Sequence, residues 1–77
     1  MSFSTHLAYI IRKRRIELSL SQQDVSEMSE VALRTVNALE NGKAAINVKN
    51  LAAIADVLGL ELHLELKKMA GGNETSM

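Results

Sequence analysis

The side chains with the clearest chemistry lie between Ser21 and Gly42, in the stretch SQQDVSEMSEVALRTVNALENG. Arg34 carries the planar fork that takes guanine in bidentate fashion, Asn37 can read adenine or a phosphate, and Ala32 or Leu33 can touch a thymine methyl. Ala38 falls on the same expected face and Thr35 turns toward the backbone. Gln22, at the expected start of a helix, can grip a phosphate with its side-chain amide beside the unpaired backbone N–H groups of the first turn. This is the chemistry of contact with duplex DNA, and the rest of the sequence has little of any other kind. His6 and His63 stand far apart with no metal-ligand spacing, and neither a glycine-rich phosphate loop nor a nucleophile elbow occurs. The expectation is therefore no enzyme, no cofactor and no metal.

Bulk composition narrows the class. A chain of 77 residues has room for one modest core, and 47% apolar residues suit a folded domain. Phe3 and Tyr9 are the only aromatics, which disfavours base stacking on single strands. Without cysteine there is neither a disulfide framework nor a thiolate zinc site. No apolar run approaches the ~20 residues needed to span a bilayer, and the N-terminus does not resemble a signal peptide. A cytoplasmic protein without membrane contact is expected. The net charge is zero, yet residues 1–49 hold seven Lys/Arg against five Asp/Glu and residues 50–77 two against four. The positive half coincides with the half that carries the DNA-directed side chains. Phosphate affinity from so small an excess is modest, and a dimer would double the contacts.

These side chains need helices to position them. Ser4 is expected to cap a first helix to about Leu18, with Leu7, Ile11 and Leu18 on one stripe and Arg15 as a misplaced charge on it. Ser21 should cap a second helix, with Asp24 completing a capping box. Residues 28–31 then make a tight corner, with Met28 filling the core, before a third helix over about residues 33–39 that stops at Gly42. After a loop at 43–46, Asn47 should cap a fourth helix through Leu58, closed by Gly59. Two short helices joined in this way present the second for insertion into a major groove. From Leu60 the pattern becomes strictly alternating, with Leu60, Leu62, Leu64 and Leu66 on one side and charged or titratable groups on the other. That is the period of a half-buried strand, although Leu, Glu and Lys also allow a fifth helix. A lone strand leaves backbone groups unpaired, and the simplest partner is the same strand of a second copy. The expected division is a DNA-binding domain over 1–59, a dimerisation strand over 60–68 and a flexible tail over 69–77.

Leu20-Ser21-Gln22-Gln23, Val25, Val31, Val36 and Leu39-Glu40-Asn41-Gly42 together resemble the helix-turn-helix of the phage repressor and Cro (XRE) family. The resemblance implies a mainly α, four-to-five-helix, lambda-repressor-like DNA-binding domain. It also implies that Arg15 pairs with Glu40, and that Asn41 and Lys43 form a second phosphate clamp beside Gln22. Leu58-Gly59-Leu60-Glu61-Leu62, followed by alternation, is similar to the HipB-like antitoxins, whose C-terminal strand pairs in the dimer. That branch implies a homodimer on a palindromic operator that represses its own operon and neutralises a HipA-like kinase toxin. A stand-alone XRE-type regulator, or an interaction adaptor without DNA binding, are the alternatives. Two residues depart from the pattern. Glu30 stands where the corner usually has glycine, at a cost of ~1–2 kcal/mol if left-handed, and Ala32 stands where a capping Ser or Thr begins the third helix, a loss of ~1 kcal/mol.

Overall fold

A computed structural model describes residues 3–43 and 47–63. It contains four helices: α1 (Phe3–Glu17), α2 (Gln22–Ser29), α3 (Leu33–Glu40) and α4 (Val48–Val57). Each inward stripe follows helical spacing. Ala8 and Ile11 are buried in α1, Val36, Leu39 and Glu40 in α3, and Leu51, Ile54 and Ala55 in α4. Ile11, Val36, Leu39, Leu51 and Ile54 form one core with Val25, Val31 and Leu58, on which Leu7, Leu20 and Leu60 pack from the edge. α1 packs on α3, while α2 contacts both α3 and α4. Each fully buried aliphatic side chain contributes roughly 1.5–3 kcal/mol, so such a core suffices for one small domain.

The helix ends share one device. Ser19, Gly42 and Gly59 take positive φ values of 59°, 72° and 71°. The residue after each donates its N–H five residues back: Leu20 to Arg15, Lys43 to Ala38, Leu60 to Ala55. This ring satisfies carbonyls that a helix otherwise leaves open. Glu30 follows α2 in the same left-handed region, at φ 62°. The corner therefore keeps its shape and accepts the strain that a glycine would avoid. Arg14 adds a tie not foreseen from sequence: its Nε donates to the Leu58 carbonyl at 2.8 Å and so closes the end of α4 from α1.

Three expectations require correction. α1 begins at Phe3, so Ser4 lies inside the first turn instead of capping it. Leu18 is exposed in the turn beyond α1 rather than on the buried stripe. Met28 is 58% exposed and fills no core. The inward side of the end of α2 is taken by Ser26 and Ser29, whose hydroxyls donate to the Val31 and Val25 carbonyls at 2.6 Å each. Residues 60–63 lie outside any helix, and the described residues contain no strand. Leu60 is half-buried and Leu62 exposed, while Glu61 and His63 join their side chains at 3.0 Å. Leu64, Leu66 and the expected tail over 69–77 lie outside the described residues, as does most of the loop after Lys43.

Candidate nucleic-acid interface

The site is built on the α2–corner–α3 unit. Ser21 and Asp24 form a reciprocal capping box: Asp24 N–H donates to Ser21 Oγ at 2.9 Å, and Ser21 N–H donates to Asp24 Oδ2 at 2.8 Å. The backbone N–H bond to Ser21, followed by its side-chain hydroxyl, holds the Asp24 carboxyl below its ordinary pKa. α3 starts at Ala32 without a side-chain cap.

Beneath this unit lies a buried charge pair. Arg15 Nε donates to Glu40 Oε2 at 2.6 Å and Arg15 Nη2 to Glu40 Oε1 at 2.9 Å, while Nη1 reaches the Leu20 carbonyl at 2.8 Å. The Glu40 side chain is only 2% exposed. Hydrogen bonding to Glu40 raises the Arg15 pKa against the opposing effect of burial, so the guanidinium keeps its charge. A charge in this position is tolerated because each partner is held by three hydrogen bonds, and no buried side-chain polar atom among the described residues lacks a partner.

From Glu40 a line of amides runs outward. Gln22 Nε2 donates to Glu40 Oε1 at 3.1 Å, Asn37 Nδ2 to Gln22 Oε1 at 3.2 Å, and Asn41 Nδ2 to Asn37 Oδ1 at 3.1 Å. The structure thus brings together Gln22 and Asn41, expected at phosphates, with Asn37, expected among the base readers. The link between α2 and α3 through Asn37 was not foreseen, since nothing in a one-dimensional pattern ties it to Gln22. Ala32, Leu33 and Arg34 are exposed at the start of α3, with Leu33 at 43%, whereas Ala38 and Thr35 are half-buried. Lys43 is exposed just past the Gly42 turn. The outward surface consequently offers one guanidinium, one ammonium, three amides and a short apolar strip. Its polar groups are hydrogen-bond donors, and Arg34 and Lys43 bring positive charge. No group of three His, Asp or Glu among the described residues could hold a metal, and no helix among them is long and apolar enough to cross a membrane.

None of the curated proteins compared matches the chain. The helix-turn-helix family profile, in contrast, matches residues 11–64, most of the chain and all of the unit just described. The chain belongs to the XRE-type helix-turn-helix family of DNA-binding regulators.

Proposed function

We propose that this protein is a sequence-specific repressor that binds a palindromic operator as a homodimer. What carries this reading is the arrangement of α3: Val36, Leu39 and Glu40 face inward, which leaves Ala32, Leu33 and Arg34 outward beside the N-terminus of α2. Arg34 takes guanine, Ala32 or Leu33 meets a thymine methyl, and Ala38 sets how closely the helix approaches. Gln22, Thr35, Asn41 and Lys43 hold the phosphates and fix the register. Support for a second copy comes from the side of the domain lined by Phe3, Ile10, Val48 and Leu62, an apolar trough between α1 and α4. Leu60 and Leu62 lie along it, and the alternation continues through Leu64 and Leu66. Two such segments pairing across a twofold axis would cover both troughs and set the reading helices about one duplex turn apart, ~34 Å or a multiple.

The test is binding to twofold-symmetric duplexes from the chain's own promoter, titrated against salt, with sedimentation to count copies. A dimer whose affinity falls with salt is expected, through Lys43 and Arg34 of each copy. A single sedimenting copy, or indifference to every such duplex, would overturn the reading and leave an interaction adaptor. Arg34→Ala should relax preference at one base pair by ~1–3 kcal/mol. The narrower antitoxin role, with a HipA-like kinase toxin as partner, rests on the resemblance of Leu58-Gly59-Leu60-Glu61-Leu62 alone. Co-purification with a kinase encoded next to this gene would support it, and an operon without one would leave a stand-alone regulator.

A further inference from the structure

We infer that Gln22, Asn37 and Asn41 form one rail of N–H donors for phosphodiester oxygens, its direction imposed by buried Glu40, and that Asn37 therefore grips the DNA backbone and reads no base. The inference rests on the duplex-binding reading above and assigns a ligand chemistry to part of that surface.

The direction follows from what each group can do. An ionised carboxylate only accepts, so the amide that faces Glu40 must present nitrogen. Gln22 Nε2 lies 3.1 Å from Glu40 Oε1, which turns Gln22 Oε1 toward α3 as an acceptor. Asn37 must then offer its own nitrogen, at 3.2 Å, and its Oδ1 is left to accept from Asn41 at 3.1 Å. No amide in the row can flip without setting two acceptors or two donors against each other. The anchor cannot reverse either, because Arg15 holds Glu40 with two further donations. Each of the three amides spends one N–H inside the row and keeps a second. Three like donors are thus carried from the start of α2 to the end of α3.

A phosphodiester presents acceptors alone, so a row of donors suits it at every nucleotide. Adenine needs a donor and an acceptor side by side from one amide. Asn37 has half of each function already committed, its oxygen to Asn41 and one N–H to Gln22; a bidentate adenine contact would have to use the remaining N–H and the remaining lone pair together without turning the amide out of the row, whereas a phosphate oxygen needs only the N–H. Arg34, outside the row, carries no such commitment.

The experiment compares the full chain with Asn37→Leu and Asn37→Asp on its selected duplex and on a random-sequence duplex pool, across a salt series. Asn37 is exposed, so neither substitution disturbs the core. Asn37→Leu should weaken binding to both DNAs by the same factor, roughly three- to tenfold for each half-site and so about ten- to a hundredfold for the dimer, which loses one neutral hydrogen bond per copy, and Asn37→Asp should weaken both further. The salt slope should stay unchanged for Asn37→Leu, because an amide displaces no counterion, whereas Lys43→Ala should lower it by about 0.9 per copy, about 1.8 for the dimer. In the free protein, Gln22→Leu should shift the Asn37 side-chain amide resonances toward those of a solvated asparagine. Altered base preference in Asn37→Leu, unchanged affinity, or Asn37 resonances that ignore Gln22→Leu would each overturn the inference. Wild-type protein that binds neither DNA would instead remove the duplex-binding reading on which it stands.

Discussion

The domain is held together by opposite means on its two sides. Under the outward face of α2 and α3 sits the Arg15–Glu40 charge pair, from which amides extend to the exterior. Toward α4, cohesion comes chiefly from Ile54, Leu58 and Leu51, side chains that contribute area but no direction, with the Arg14 bond to the Leu58 carbonyl as a directed tie at the helix end. An apolar contact tolerates rotation about itself, whereas a bidentate guanidinium and carboxylate fix an angle as well as a distance. The side that must present donors in a set orientation is the one built on charge. The side without that duty is built on packing.

The sharpest way to break this comparison is to remove one member of the pair. Arg15→Ala should lower unfolding stability by ~3–5 kcal/mol in urea, because Glu40 is left buried and uncompensated. Replacing both, Arg15→Met with Glu40→Leu, should restore much of the stability while DNA affinity stays reduced, since the amide row loses its anchor. Equal loss in the double and single variants would mean that the pair is not the origin of the effect. On the opposite side, Ile54→Ala should cost ~2–5 kcal/mol through the cavity it leaves, with no change in the side-chain amide resonances of Asn37.

Smaller effects refine the picture at the corner. Ser21→Ala should cost ~1 kcal/mol by deleting the cap of α2. The Asp24 half of that box has a pH signature: its folded pKa lies below the unfolded value, so its contribution is present above the ordinary carboxylate range and is lost as pH falls through it. In Ser21→Ala, stability measured on acidification should fall less in that window than in the parent. Glu30→Gly should raise stability by up to ~1 kcal/mol through relief of the left-handed backbone. A loss on that substitution would show that Glu30 does more than occupy a strained position.

Much of the positioning frame was legible because its signals are local. The capping box at Ser21, the Asn47 cap, whose oxygen accepts the Asn50 N–H at 2.7 Å, and the left-handed glycines at 42 and 59 each follow from a few neighbouring residues. Arg15 was conspicuous as a charge on an apolar stripe, but naming Glu40 as its partner required the family resemblance. Met28 misled because apolar character was read as burial. Its helix turns Ser26 and Ser29 inward instead, where carbonyls satisfy their hydroxyls. Ser19 in a left-handed turn resisted reading because serine carries no marked preference for that conformation. The Gln22–Asn37 bond and the Arg14 tie to Leu58 join residues 15 and 44 positions apart, and each depends on how whole helices pack.

That last tie bears on how the molecule comes apart. A bond closing 44 residues of chain needs the intervening helices to dock, and we expect it to form after the rate-limiting step. Arg14→Met should accordingly leave the refolding limb of a chevron in place and steepen escape from the native state, a kinetic latch fastened last and released first.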